Sequence, residues 1–332
     1  MKMKPCFVSP ILEKIAKKMG VTINIEPKYR YVGQIINAQG ERRYFRNTNF
    51  DLNSLGASEI ARDKSYSYYF MSMMGYPVPE GDTFFTDRWC SIIKSRRNPE
   101  AAYRYAKKLG FPVIVKPNSK SQGSGVSKVY NKKEFFQAVR ALSKRENVFL
   151  VQKVIAGNDY RIVVLDKEVI SAYQRLPLSV IGDGRHNIYQ LLQIKQRQFK
   201  KIGRDTILPI GDFRITNQLR RANLRWESVL PKGRRIELLA NANLSTGGDA
   251  VDVTEVMHPE WRKLAVRLVR DMNLRYCGVD IMTEKTLKEP PSSYVVLEIN
   301  AAPGLDHYAS SGRRQRQIVE KMYEKVLRAM LS

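Results

Sequence analysis

The strongest constraint on the fold is an apolar run, late in the chain, that contains a carboxylate. Residues 295–300, VVLEIN, predict a buried strand in which Glu298 and Asn300 lie two residues apart. Because the side chains of a strand alternate between its two faces, these two oxygen-bearing groups point the same way. A buried carboxylate must be paired, protonated or bound to a cation, since desolvating the isolated charge costs several kcal/mol.

A second apolar run, residues 276–282 (YCGVDIM), carries one acid, Asp280. The polar connection 283–293 contains proline and can fold the two runs back as neighbouring strands, which brings Asp280 near Glu298 and Asn300. Carboxylate and amide oxygens suit a hard cation such as Mg²⁺. An ion pair with Lys or Arg is the alternative, and the residues alone leave both interpretations open.

The charge balance favours anionic partners. The chain has 332 residues, with 57 Lys and Arg against 32 Asp and Glu, a net charge of +25. Such a field attracts nucleic acid, phosphorylated ligands, anionic membranes or acidic peptides, and composition does not choose among them. The hydrophobic fraction of 43% predicts a folded protein with two or three modules.

Cysteine usage and the chain start favour a cytoplasmic setting. Cys6, Cys90 and Cys277 lie far apart, with no metal-binding spacing and no even set for a disulfide framework. The first 18 residues lack an apolar signal region, and no run reaches the roughly 18 residues that span a bilayer. We therefore expect no secretion and no membrane anchor.

Apolar periodicity outlines a mixed chain. It predicts helices at residues 10–19, 63–74, 99–109, 133–142, 188–200, 259–274 and 315–331. Strand patterns occur at 29–36, 43–45, 113–115, 126–130, 148–155, 160–165 and 169–176. In the second helix an aromatic and methionine stripe has spacings of three and four, which favours core packing: Tyr66, Tyr69, Phe70 and Met73.

Two loops are candidates for anion binding. Residues 118–125 form a Ser/Gly hairpin after Lys116, and such a turn exposes backbone N–H groups to phosphate oxygens. Its pattern differs from a P-loop, so an ordinary surface hairpin is the alternative. Residues 203–235 are predicted to be irregular and are rich in arginine, consistent with a solvated surface or with an anion-binding or lid role.

Seven segments occur in an order shared with a known family. They are DKSYSYYFMSMMGYPVPEG, FPVIVKPNSKSQGSGV, VQKVIAGNDYRIVVLD, RLPLSVIGDGRHNIYQLL, NLSTGGDAVDVTE, CGVDIM and LEINAAPGLDHY. Together, over residues 60–330, they resemble the ATP-grasp superfamily. GDGRHNI and NLSTGG are similar to the branch of cyanophycin synthetases and glutathione-synthetase-like ligases.

The resemblance implies an α+β ATP-grasp fold, in which two α+β subdomains enclose a nucleotide. We expect residues 1–60 to form an N-terminal segment or a reduced pre-ATP-grasp domain. Residues 61–150 are then the N-terminal subdomains, and residues 151–332 the C-terminal subdomain with the basic loop 203–235. Full cyanophycin synthetases also carry a further amino-terminal domain and a Mur-ligase-like domain, so we expect a stand-alone ligase without cyanophycin polymerisation.

The resemblance also implies roles for individual residues. The expected nucleotide-binding residues are Lys116, Ser119, Gln122, Gly123, Ser124, Gly125, Gln152, Lys153, Val154 and, on the ribose side, Asp159. The expected catalytic set near phosphate and substrate is Arg161, Arg175, Asn243, Gly247 and Gly248. Asp280, Glu298 and Asn300 match the magnesium ligands. Gln152 stands where that branch often has Glu, and Lys94 and Arg96 remain alternatives for the second phosphate-binding cation.

The implied reaction is ATP-dependent ligation of a carboxylate to an amine through an acyl-phosphate, with release of ADP and phosphate. Its cofactors are ATP and Mg²⁺, with two ions expected and Mn²⁺ as an alternative metal. We expect an amino acid or an acidic peptide as substrate, a peptide-crosslinking ligase being one version, and a homo-oligomeric protein. The alternative function is a nucleotide- or nucleic-acid-binding protein without ligase activity, which the basic surface would serve.

Overall fold

The structure is a computed structural model that describes residues 7–119, 125–204, 206–309 and 312–331, without the side chain of His307. Cys6 and the predicted phosphate-loop residues Gln122, Gly123 and Ser124 lie outside these residues. The helices are α1 (Val8–Met19), α2 (Leu55–Arg62), α3 (Lys64–Met73), α4 (Asp87–Ile93), α5 (Pro99–Leu109), α6 (Lys132–Ser143), α7 (Ile188–Lys201), α8 (Phe213–Arg221), α9 (Pro259–Asp271), α10 (Asp306–Ala309) and α11 (Arg313–Leu331).

The strands belong to four sheets. Their bounds are β1 (Thr22–Ile25), β2 (Val32–Ile36), β3 (Arg42–Arg46), β4 (Asn49–Phe50), β5 (Gly81–Phe85), β6 (Val113–Pro117), β7 (Ser127–Val129), β8 (Val148–Lys153), β9 (Asn158–Leu165), β10 (Glu168–Leu176), β11 (Ser179–Ile181), β12 (Arg235–Glu237), β13 (Asp249–Asp252), β14 (Tyr276–Thr283) and β15 (Val295–Asn300). The sheet orders are β1-β2-β3-β4, β5-β8-β6-β7, β13-β10-β9-β14-β15 and β11-β12.

The five-stranded sheet is antiparallel and carries most of the candidate site. Its central strand β9 pairs with β10 on one side and β14 on the other, and β15 closes the edge. Helix α9 covers one face, where Trp261, Leu264 and Leu268 are buried with the apolar side chains of the strands. The predicted strand pair around the polar connection is therefore confirmed.

The N-terminal segment packs against the last helix instead of standing apart. Ile11, Leu12 and Ile15 of α1 share one buried cluster with Val319 and Tyr323 of α11. The sheet β1–β4 contributes to the same cluster, and the salt bridge Lys14–Glu320 (2.9 Å) ties the two helices at the surface. Both ends of the chain thus build one wall of the molecule.

Residues 178–240 form a small helical module with a core of its own. Leu178, Leu192 and Ile215 are buried in this core together with the strand pair β11–β12. The prediction that 203–235 is irregular is wrong for α8, whereas β12 begins only at the last residue of that stretch. Helix α8 forms because its buried residues Ile215 and Leu219 recur at helical spacing and Asp212 caps its first turn.

The prediction that the aromatic and methionine stripe of α3 packs in the core is wrong. The exposed fractions of Tyr66, Tyr69, Phe70 and Met73 are 60%, 64%, 37% and 65%, so these side chains do not pack in the core. The opposite face of the helix is buried. Periodicity identified an apolar face correctly, but it could not tell which face the rest of the chain covers.

No described helix is long and apolar enough to cross a membrane.

Candidate active site

Strand register brings the predicted polar residues to one place. Asp280 on β14 lies directly opposite Arg161 on β9 and opposite Glu298 on β15. Asn300 pairs with Gly278, two residues further along the strands. Arg161, Glu298 and Asn300 all line a cavity of about 880 Å³, as the period-two pattern of β15 predicts for its two members.

Asp280 is held by two arginines. Arg161 Nε and Nη2 donate to its two oxygens at 2.6 and 2.7 Å, and Arg175 Nη2 lies 2.9 Å from Oδ2. Burial opposes ionisation of Asp280, yet the two guanidinium groups outweigh it and lower the pKa of this carboxyl below its ordinary value. Asp280 therefore stays charged, and the ion pair left open by the sequence is present.

Asp159 belongs to the same buried network. Its Oδ1 accepts hydrogen bonds from Arg175 Nε and Nη2 at 3.0 and 2.6 Å. Burial raises the pKa of Asp159 because it outweighs the attraction of its arginine partner. Its side chain thus joins the arginine network, and its predicted ribose contact stays a prediction.

Glu298 and Asn300 face the cavity. Glu298 Oε1 lies 3.2 Å from Lys64 Nζ. The Asn300 amide lies between Glu298 Oε1 and Arg161 Nη2; with its nitrogen toward Glu298 the distances are 3.2 and 3.1 Å and both groups are satisfied. With the amide turned over, two oxygens face each other, which is the arrangement a cation stabilises.

These donors fit a divalent cation by their chemistry. Among the residues that the structure describes, no cluster of three His, Cys, Asp or Glu side chains can hold a metal. The candidate set instead combines two carboxylates with the Asn300 amide oxygen, which suits Mg²⁺ because that ion prefers oxygen ligands and retains waters. Asp280 would exchange an arginine contact for the ion.

Lys116 lies at the end of β6, behind this set. It is buried, and its Nζ donates to the Tyr68 hydroxyl at 2.8 Å. Burial lowers the pKa of Lys116 to about 8, although Glu298 and Asp280 pull it upward. A buried ammonium facing two carboxylates is suited to an anionic ligand that arrives together with a cation.

The other described nucleotide-binding candidates lie on or next to the sheet that carries Lys116. Ser119 Oγ donates to Glu146 Oε2 at 3.3 Å and lines the cavity. Gly125 has φ +77°, and a Cβ there would lie 2.5 Å from Leu142, so glycine suits this turn. Gln152 is buried on β8 between β5 and β6, and the Lys153 N–H donates to Glu80 O at 2.9 Å. Val154 follows β8 and is half-buried.

The turn 243–248 also borders the cavity. Asn243 lines the cavity, and its carbonyl oxygen accepts from the Gly248 N–H at 3.1 Å. Gly247 has φ +98°, and a Cβ on Gly248 would meet the carbonyl oxygen of Leu176. The turn needs glycine at both positions for these reasons.

Arg204 is a site residue that the sequence did not single out. It is buried beneath the turn, where its Nη2 donates to Leu244 O and, at 2.6 Å, to Gly248 O. Its guanidinium also stacks 4.0 Å from the ring centroid of Phe199. The only sequence signal was membership of an arginine-rich stretch, which does not distinguish a buried clamp from surface charge.

Asn53 is a second residue found only in the structure. Its Nδ2 donates to Tyr276 O and Ala301 O at 2.7 and 2.9 Å. Its Oδ1 accepts from the N–H groups of Arg275 and Tyr276 at 2.8 and 2.9 Å. It joins the start of β14 to the end of β15 and so fixes the strands that carry Asp280, Glu298 and Asn300.

Comparisons with known proteins agree with this geometry. The family model "D-ala D-ala ligase C-terminus" matches residues 70–194, and the model "RimK-like ATP-grasp domain" matches residues 236–324. The chain belongs to the ATP-grasp superfamily. Its predicted recognition and its α+β ATP-grasp fold are thereby confirmed, and the second match contains Asp280, Glu298 and Asn300.

Two curated relatives show which ATP-grasp ligases this chain is similar to. It is 33% identical to cyanophycin synthetase of Trichormus variabilis over 264 residues, which are 77% of this chain and 28% of that protein. It is 29% identical to the glutathione biosynthesis bifunctional protein GshAB of Enterococcus faecalis over 278 residues, 79% of this chain and 35% of that protein. The chain thus spans about a third of the length of these relatives.

A solved structure supports the fold. The bifunctional glutathione synthetase from Pasteurella multocida is similar with a TM-score of 0.56 and 24% identity, covering 95% of this chain and 43% of that one. The ATP-grasp fold positions Lys116 on one sheet and Asp280, Glu298 and Asn300 on another. The roles of individual residues, the second phosphate-binding cation and the subdomain boundaries stay predictions.

Proposed function

We propose that this chain is an ATP-dependent carboxylate–amine ligase that forms an amide or peptide bond and releases ADP and phosphate. The observation that carries the proposal is the convergence of Glu298, Asn300 and Arg161 on one cavity, with Asp280 directly behind them. Membership of the ATP-grasp superfamily supports the same chemistry, as do relatives named cyanophycin synthetase and glutathione biosynthesis protein.

The reaction has two transfers. An oxygen of the substrate carboxylate attacks the γ-phosphorus of ATP, and the bond from that phosphorus to the β-bridging oxygen breaks as ADP leaves. The amine lone pair then attacks the acyl-phosphate carbon, the amine loses a proton, and phosphate departs with the electrons of the broken C–O bond. The protein needs no nucleophile of its own, so its work is positioning and neutralising charge.

Each side chain contributes to one of these tasks. Lys116 holds a positive charge at the phosphate end, and Arg161 and Arg175 orient the negative groups near the transferred phosphoryl. Glu298, Asn300 and Asp280 would hold Mg²⁺, which supplies charge neutralisation for the phosphates when bound. Two ions and alternative use of Mn²⁺ remain part of the proposal.

The turn 243–248 is proposed to contact the acyl-phosphate. Its backbone is fixed by Arg204 and its glycines keep side-chain bulk away, so exposed N–H groups can approach an anion. The segments around Gln152 and Val154 are proposed to bind adenine. The residues of the N-terminal wall, among them Lys14 of α1, reach the same cavity, which gives residues 1–60 a part in substrate binding.

The substrate is proposed to be an amino acid or an acidic peptide. The net charge of +25 favours an anionic substrate over a cationic one. The thiols of Cys90 and Cys277 are buried and form no disulfide, which is consistent with the reducing, cytoplasmic setting we propose. A homo-oligomer is also part of this proposal.

The test is product analysis with a pool of amino acids and acidic peptides, ATP and Mg²⁺. We expect ADP, phosphate and a product whose mass equals two reactants minus water. Glu298→Gln should abolish both, while Glu284→Gln, in the exposed β14–β15 connection, should leave them unchanged. AMP and pyrophosphate as products would reject the acyl-phosphate route. ATP binding without any turnover by the wild type would favour the non-catalytic alternative.

A further inference from the structure

Helix α7 presents an exposed cationic face. Between Ile188 and Lys201 the helix has four basic residues and no acidic one. Gln193, Arg197, Lys200 and Lys201 are exposed; Gln193, Arg197 and Lys201 follow at spacings of four and Lys200 lies three residues after Arg197, so they share one face. We call these four residues the α7 strip; at 1.5 Å per residue it extends for about 12 Å along the helix.

The charges of the α7 strip are not neutralised within the described part of the chain. Arg197, Lys200 and Lys201 form no ion pair among described residues, whereas Lys195, on another face, lies 3.0 Å from Asp249 Oδ2. On α11, by contrast, Glu320 is shared by Lys14 and Arg316. The positive charges of the α7 strip are therefore available to attract an anionic partner from outside the molecule.

The strip ends beside the candidate active site. Gly203, two residues beyond α7, lines the same cavity as Glu298 and Asn300. The next residue, Arg204, is anchored to the carbonyl oxygens of Leu244 and Gly248. The end of the helix is thus fixed at the cavity, and a ligand lying along the strip has one end at that opening.

We propose that the α7 strip is a docking surface for an extended acidic peptide whose reacting end enters the cavity. This proposal rests on the proposed ligase function. A peptide supplies carboxylates for the strip and a carboxyl or amino group for the reaction. A nucleic acid has phosphates but no carboxylate to activate, and the exposed aromatic side chain on this face, Tyr189 one turn before Gln193, already packs edge-to-face against Trp226.

The chain contains a matched control surface. Helix α5 carries Arg104, Lys107 and Lys108, which are exposed near the end of their helix and repeat the arginine-lysine-lysine order and spacing of Arg197, Lys200 and Lys201. Replacing either triplet by glutamine removes the same net charge from a similar helical position. Any long-range effect of the overall field is therefore the same in the two variants.

The experiment is fluorescence anisotropy with a labelled decaglutamate peptide and the full chain, at low and at moderate salt. We expect R197Q/K200Q/K201Q to weaken binding about tenfold at low salt, since three ion pairs are lost, and R104Q/K107Q/K108Q to change it less than twofold. The difference should shrink as salt rises. Equal losses in the two variants, or no binding by the wild type, would overturn the proposal.

Two further measurements distinguish this proposal from a nucleic-acid partner and from failure of the ligase function. A labelled oligouridylate that binds more tightly than the peptide, with the same α7 dependence, would show that the partner is nucleic acid and that the peptide proposal is wrong. Strip-dependent peptide binding by a chain that forms no product would leave the docking surface standing and reject the ligase function. If the chain forms product and R197Q/K200Q/K201Q leaves the KM for acidic peptides unchanged, the ligase function stands and the docking surface is rejected.

Discussion

Two arginine–aspartate pairs connect the neighbouring strands β9 and β14, one in the middle of the strand pair and one just beyond its end. In one, Arg161 Nε and Nη2 meet the oxygens of Asp280 at 2.6 and 2.7 Å. In the other, Arg275 Nε and Nη2 meet those of Asp166 at 2.7 and 3.1 Å. The geometry is nearly the same, but the side chains of Asp280 and Asp166 are 3% and 40% exposed.

The difference teaches that burial, and not ion-pair geometry, marks the candidate site. An exposed pair exchanges with water and contributes about 0–1 kcal/mol. A buried pair must satisfy its charges inside the protein, so removing one partner leaves the other uncompensated. The part of the β9–β14 pair beside the cavity therefore carries a buried charge pair, whereas the end at Asp166 behaves as an ordinary surface.

The largest effect should come from Asp280→Asn compared with Asp166→Asn. We expect Asp280→Asn to lower the free energy of unfolding by about 3 kcal/mol, because Arg161 and Arg175 lose their shared charge. Asp166→Asn should cost less than about 1 kcal/mol. Urea denaturation at neutral pH measures both, and equal losses would show that burial does not separate the two pairs.

Acid titration sharpens the same comparison. The pKa of Asp280 lies below its ordinary value because its two arginines outweigh burial. Its contribution to stability is therefore complete at neutral pH and is lost as the pH falls below about 3.9 toward the folded pKa. Asp280→Asn should flatten this part of the stability profile.

The sequence predicted the strand-borne part of the site because strands obey a local rule. Glu298 and Asn300 share a face by period two, and Asp280 meets them through a connection of ordinary length. The pairing of Arg161 with Asp280 follows only from the register of β9 on β14, between residues 119 positions apart. No local pattern contains that register.

The parts missed by the sequence depend on contacts with distant backbone. Arg204 acts on carbonyl oxygens about 40 residues away, and Asn53 joins strands more than 220 residues away. Every residue has backbone carbonyl and N–H groups, so no residue type in the sequence near Leu244, Gly248 or Tyr276 indicates that Arg204 or Asn53 will bond there. The α3 stripe failed for a related reason, since helical spacing finds an apolar face without showing what covers it.

The second largest effect should come from Arg204, the buried arginine of the module. Arg204→Met removes the buried guanidinium that donates to Leu244 O and Gly248 O, although Leu244 O keeps the Gly247 N–H, for a cost of about 2 kcal/mol in unfolding. As a positioning residue for the turn 243–248, it should also raise the KM of the carboxylate substrate more than that of ATP. Arg204→Lys should restore part of this loss.

The exposed counterpart of Arg204 is Arg225, in the same module. Arg225→Met should leave the free energy of unfolding within about 0.5 kcal/mol and both KM values unchanged. If it matches Arg204→Met, the module is sensitive to charge in general and the clamp has no special role.

The pH dependence of ATP affinity and of stability compares the buried Lys116 with an exposed lysine. Its pKa of about 8 means that the ammonium is lost as pH rises through that value. If Lys116 holds phosphate, ATP affinity should fall roughly tenfold between pH 7 and pH 9. Stability should move the other way and rise from about pH 8 to pH 10, since the unfolded lysine keeps its proton longer. Lys116→Met should remove both trends, and Lys167→Met, at an exposed lysine away from the site, should remove neither.

The smallest effect compares two neighbouring tyrosines on α3. Tyr68 is buried, and its hydroxyl accepts from Lys116 at 2.8 Å and donates to Leu297 O at 2.5 Å. Tyr69 is 64% exposed. Tyr68→Phe should cost about 1–2 kcal/mol because a buried lysine and a strand carbonyl lose a partner, while Tyr69→Phe should stay within about 0.5 kcal/mol. Urea denaturation resolves this difference, and a similar cost for both would mean that α3 is covered on both faces in solution.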